Sequence, residues 1–201
     1  MTEKKSKSKM VFSTTNKIIS IISNSLDISN TKGILSKLRN STGKPFEEIP
    51  SSLQIVYENI PEELLNPNYN ISNAERAIIT ALQLFAIHQQ SKSYSVNEIK
   101  EDRAWDNFGY SLSFLRDGGK NIALDNRFNA MIRSTSFEEL TNHLRQLVKI
   151  SKSSDKNIRI NYPKLAIDLY KFLNNGQENI RLNWARAYYF YKEKGDKEND
   201  K

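Results

Sequence analysis

Cysteine is absent from all 201 residues. That excludes a disulfide framework, a thiolate zinc site and a cysteine nucleophile, and it suits a reducing cytoplasm. Glycine and proline are scarce, at 7 and 5. A chain with so few breakers reads as helices joined by short turns. No apolar run approaches the ~18 residues of a membrane span. The opening "MTEKKSKSKM" is charged, but "VFSTTNKIISIISNSL" after it is interrupted by polar residues, so it lacks a secretory core. An ordinary first helix is expected there, with an amphipathic organelle presequence as the alternative. Histidine occurs only twice, which leaves little for acid–base chemistry.

What the chain has is helical patterning and positive charge. Eight or nine helices are expected and no strand, giving an all-α fold of two packed helical halves. The polar stretch "QQSKSYSVNEIKEDRAWD", residues 89–106, is the expected boundary. It separates an N-terminal half, 1–105, with a basic disordered tip, from a basic C-terminal half, 106–192. Residues 193–201 form a solvated tail. Ser72 with Glu75, and Ser136 with Glu139, have the spacing of capping boxes that open helices. "AIITALQLFAI" is apolar on nearly every side, the signature of a buried helix.

The net charge is +7 and it is unevenly spread. Residues 34–102 hold 6 bases against 9 acids, while 103–192 hold 15 bases against 8 acids. A polyanionic partner follows from that asymmetry; a charge kept for solubility is the plainer alternative. The sharpest local signal is "NHLRQLVKISKSSDKNIRI", 142–160. Phe137, Leu140, Leu144, Leu147 and Val148 make one apolar stripe. Beside it Arg145, Lys149, Lys152 and, if the helix ran on, Lys156 fall within about 60° of arc. Arg145 and Lys149 have no acid three or four residues away, and Lys152 has only Asp155. Phosphates would relieve that repulsion and release counterions. Arg159 follows in a loop. Lys120 and Arg127, seven apart, are expected to share a helix edge from which Arg133 points away. Arg181 and Arg186 lie about 140° apart and form no stripe.

Catalytic patterns are missing. His88 ends a buried helix and reads as packed. Glu139 and His143 have a metal-compatible spacing, but Glu139 is explained by its cap and no second such pair appears. "DGGK" at 117–120 lacks the strand and the Gly-Lys-Ser/Thr ending of a phosphate loop. No cofactor, metal or catalytic residue is expected. Tyr189 and Phe190 lie off the inner face of the last helix. They are placed either to stack on bases or to pack on another helix.

The order of segments resembles the CasB family, the small subunit of the type I-E CRISPR complex Cascade. The resemblance rests on "ILSKLRNSTGKPFEEIP", "ALQLFAIHQQ", "FGYSLSFLR", "DNRFNAMIRSTSFEELTNHLRQLVKI", "INYPKLAIDLYKFL" and "IRLNWARAYY". It implies an all-α protein without enzymatic activity. It implies as partners the other Cascade subunits, a second copy of the chain, and crRNA-guided target DNA including the displaced strand. Sequence is then read by guide pairing and the protein touches backbone. The resemblance implies basic contacts at Arg39, Arg127, Arg133, Arg145 and Arg181. Charge geometry adds Lys120, Lys149, Lys152, Lys156, Arg159 and Arg186, and Arg116 completes the candidate set. A helical adaptor whose basic face meets an acidic protein is the alternative.

Overall fold

The structure, a computed structural model, describes residues 2–68, 70–100, 106–116 and 121–190. In chain order the helices are α1 (Thr2–Ser23), α2 (Ser29–Asn40), α3 (Gln54–Tyr57), α4 (Asn73–Gln89), α5 (Phe108–Ser113), α6 (Ile122–Ile132), α7 (Phe137–Ser153), α8 (Tyr162–Leu173) and α9 (Gln177–Phe190). Short 3-10 turns lie at Phe46–Glu48, Pro50–Ser52 and Glu62–Leu64. No strand occurs among the described residues, only one parallel bridge between Asn97 and Ile160.

Five helix starts are set by side-chain caps. Ser72, Asn107, Asn121, Ser136 and Asn161 each accept the N–H three residues on, at 2.9–3.1 Å. Each satisfies a backbone donor that the first turn cannot. At Ser72 the box closes reciprocally, with its N–H donating to the Glu75 carboxylate at 2.8 Å. At Ser136 the second arm differs: the Glu139 carboxylate accepts from the Thr135 N–H at 2.7 Å.

The Lys-rich opening leads into α1, which spans Thr2–Ser23. Lys and Glu are good helix formers, and the segment runs straight into an apolar helix that propagates it. α6 begins at Ile122, behind its Asn121 cap, and carries Arg127. Lys120 itself, the rest of "DGGK" and the tail 193–201 lie outside the described residues.

α4 forms the centre, and nearly every residue from Ala74 to Gln89 is buried. It packs on α8, α7, α2 and α1. α1 also lies along α8, while α5 and α6 pair with α9, and α6 leans on α7. α5 and α9 meet at backbone distance: a Cβ on Gly109 would stand 2.1 Å from the Trp184 carbonyl oxygen. Two buried polar side chains of the central helices are paired. The Asp168 carboxylate accepts from Trp184 Nε1 at 2.8 Å and from Lys164 Nζ. His88 Nδ1 lies 2.9 Å from the Tyr162 hydroxyl.

Candidate nucleic-acid interface

α7 carries the cation row on a fixed support. Leu140, Leu144, Leu147 and Val148 are buried and Phe137 half-buried, so the helix is clamped along its apolar stripe. Lys149 is exposed, and Arg145 and Lys152 are half-buried. Lys152 Nζ donates to Gln90 Oε1 at 2.8 Å rather than pairing with Asp155. Helix α7 stops at Ser153, so Lys156 follows in a loop instead of extending the row. Arg145 runs under the turn after α2, its Nη1 lying 3.8 Å from where a Gly43 Cβ would stand. Gly43 takes a positive φ of 81°, a conformation that favours glycine. Arg145 Nε is shielded from solvent and has no protein acceptor.

Arg39 joins this row from the other end of the sequence. The C-terminus of α2 is tied to α4 by Gln83 Nε2 donating to Ser41 Oγ at 3.0 Å. That places half-buried Arg39 within electrostatic reach of Lys152. The Lys152 ammonium has its pKa lowered, first by burial and then by Arg39, Lys92 and Lys149. Cations from three segments, α2, the turn after α4, and α7, thus lie within electrostatic reach of Lys152. Among the described residues none of Arg39, Lys92, Arg145, Lys149 or Lys152 is ion-paired. Sequence reasoning missed Lys92, a single lysine in a polar loop with no periodic signal. Only the packing of α4 on α7 brings it to the row.

The other candidates divide by what meets them. Arg116 is committed inward: Nε is 3.0 Å from Asp125 Oδ1, and its guanidinium lies over the Tyr188 and Tyr189 rings at 5.0 and 5.1 Å. Arg181 donates to the Ser134 carbonyl, with its Nε shielded and unpartnered. Arg159 pairs with Glu98 at 3.5 Å and lies over the Tyr94 ring at 5.6 Å. Arg127, Arg133 and Arg186 are exposed on α6, at its C-cap and on α9, apart from the α7 row in sequence and element. Exposed Lys156 borders a shallow cleft of about 250 Å³ with Leu115, Asn121, Leu124, Ile150, Ser153 and Ser154. Tyr189 and Phe190 are 42% and 85% exposed, and Tyr189 donates to Asn129 Oδ1 at 2.8 Å. Among the described residues no group of three His, Asp or Glu side chains stands where a metal would be held.

The fold has solved counterparts. A crystal structure of CasB from Thermobifida fusca superposes with a TM-score of 0.69 at 24% identity, covering 90% of this chain and 98% of that one. A chain of a CRISPR RNA-guided surveillance complex superposes with a TM-score of 0.65 at 18% identity, covering 90% and 94%. At these identities the likeness is one of fold. No curated protein matches the sequence. The sequence model of the CRISPR-associated protein Cse2 matches residues 35–189, most of the chain from α2 to α9, and the protein belongs to that family.

Proposed function

We propose that the chain is a non-catalytic subunit of a CRISPR RNA-guided surveillance complex of the Cascade type. In this reading it holds guide-opened target DNA by its backbone, beside a second copy of itself and the other subunits. The observation that carries the reading is the edge of α7, where Arg145, Lys149 and Lys152 follow one another on a helix clamped by its buried stripe, none of them ion-paired among the described residues. Like charges gathered on clamped elements repel one another at a steady cost. A phosphate backbone removes that cost and releases its own counterions. Such contacts position a strand and carry no base information, which suits a protein whose partner RNA does the reading.

The test is single-strand affinity across a salt series. Changing Arg145 and Lys149 together to Ala should flatten the slope of log K against log salt by roughly 1.4, about 0.7 for each phosphate no longer neutralised. The weakening should be alike for unrelated sequences, and the unfolding temperature should stay close to that of the unchanged protein. In an assembled complex the same variant should release opened target DNA more readily while guide RNA still loads. Unchanged affinity and slope would hand this face to an acidic protein partner instead. The purified protein should also leave DNA and RNA intact with magnesium, manganese or zinc. Cleavage that vanishes in His143→Ala would overturn the non-catalytic reading.

A further inference from the structure

Lys92 differs from the α7 cations in how it is held. Gln89, the last residue of α4, is 2% exposed and spends its whole side-chain amide on the turn that follows. Its Nε2 donates to the carbonyls of Lys92 at 3.1 Å and Tyr94 at 2.7 Å, and its Oε1 accepts the Val96 N–H at 3.0 Å. The backbone folds accordingly, with Ser91 at a φ of 66° and the Lys92 N–H bonded back to the Gln89 carbonyl at 3.1 Å. At the far end Val96 is buried, and its carbonyl accepts the Ile160 N–H at 3.0 Å. The next residue after Gln89, Gln90, turns outward and accepts from Lys152 Nζ. Two adjacent glutamines therefore do opposite jobs. One pins the turn from inside, and the other ties it to α7. Tyr94 adds a third tie, its hydroxyl donating to Asn157 Oδ1 at 2.7 Å in the loop after α7.

We infer that the 90–96 turn is a further wall of the interface, that a bound phosphodiester strand crosses α7 at Lys152 between Arg39 and Lys92, and that Gln89 is the positioning residue that presents Lys92 to it. A strand following only the edge of α7 would meet Arg145, Lys149 and Lys152 in turn. The 90–96 turn instead meets α7 at Lys152, whose Nζ donates to Gln90 Oε1 at 2.8 Å, and Arg39, Lys92 and Lys149 all act on that ammonium. A phosphate gains most where fixed like charges are densest. A lysine whose backbone is already pinned needs less ordering on binding than one on a loose loop.

The inference rests on the reading of the chain as a nucleic-acid binder, and the two fail separately. With a single-stranded oligonucleotide across a salt series, Lys92→Ala should flatten the slope by about 0.7, the share of one neutralised phosphate. Its unfolding temperature should not move. Gln89→Leu should weaken binding several-fold in the unchanged protein and not at all once Lys92 is Ala, since it acts only through that lysine. In the unchanged protein the Val96 amide should exchange slowly with and without the strand. A slope unaffected by Lys92→Ala overturns the crossing path. Additive effects of Gln89→Leu and Lys92→Ala, or Val96 protection that appears only with the strand, overturn the positioning role. If Gln89→Leu does not fold, the Val96 exchange decides that role. If the Arg145 and Lys149 double variant flattens the slope and Lys92→Ala does not, only this inference falls. If neither changes it, the proposed function falls with it.

Discussion

At the scale of single residues, what an arginine or histidine does is decided by what it meets. Arg116 and Arg145 look alike in sequence, each following an apolar residue. Arg116 meets Asp125 and two tyrosine rings, so its charge is spent inside the molecule. Arg145 meets a glycine turn and no carboxylate, so its charge remains available. His88 shows the same rule with a proton. Burial, followed by the nearby Lys92 and Lys152 cations, lowers its pKa from 6.5 to about 4. The neutral ring is the form the fold accepts. Between those two values the unfolded chain binds more protons than the folded one, so stability must fall as pH drops through that window. It should be fully present above pH 6.5 and lost below about 4. The shift corresponds to a loss on the order of 3 kcal/mol. Chemical unfolding across pH 4 to 7 should record the decline, and His88→Asn should reduce its steepness.

At the scale of elements, α7 is a good helix for reasons that can be separated. Ser136 caps its start, four buried aliphatic residues clamp one face, and its acids Glu138 and Glu139 sit in the first turn where the helix dipole favours them. Its basic residue in the last turn, Lys152, is likewise at the favourable end. The α5–α9 pair is held in a different way, by closeness. Gly109 lets α5 approach until its backbone meets that of Trp184, whose ring lies tilted against Phe108 with centroids 5.7 Å apart. Gly109→Ala adds one methyl where there is no room. It should destabilise the protein by about 1–3 kcal/mol or more, the range for overpacking, because the obstacle is backbone and cannot swing aside. Thermal unfolding would measure that loss. A stability equal to that of the unchanged protein would mean that α5 and α9 are not in backbone contact.

At the scale of the whole molecule, helices from before and after the 89–106 stretch share one set of packed surfaces. α1 and α4 both lie on α8, and α4 also meets α7. Phe85 of α4 sets its ring edge-on to Tyr162 of α8 at 5.4 Å, and the same tyrosine holds His88. Pulling one half away would expose these contacts in both. A single cooperative unfolding transition is therefore expected, with coincident curves from far-UV circular dichroism and from tryptophan fluorescence. The circular dichroism should be that of a helical protein. Separated transitions would show that the two halves melt independently.

The amino-acid sequence by itself determined the helical class, most helix starts and the cation row. These depend on neighbours within a few residues: Ser72 reaches Glu75, and Leu140 to Leu144 to Leu147 set a face whatever lies beyond. It also carried the family likeness, because the order of segments is a linear property. The destination of each charge was not legible in the same way. Arg39 comes within electrostatic reach of Lys152 only because Ser41 is tied to Gln83 and α2 packs on α4. Lys92 acts on Lys152 through the packing of α4 on α7, on a turn whose backbone a buried glutamine pins. Arg116 and Arg181 are drawn inward by groups near in space, Asp125 and the Ser134 carbonyl, the second of them 47 positions away. A charge interacts across space rather than along the chain, so local spacing can place a cation on a helix edge but cannot say what stands opposite. Tertiary packing alone decided which cations neutralise carboxylates and which stand without one.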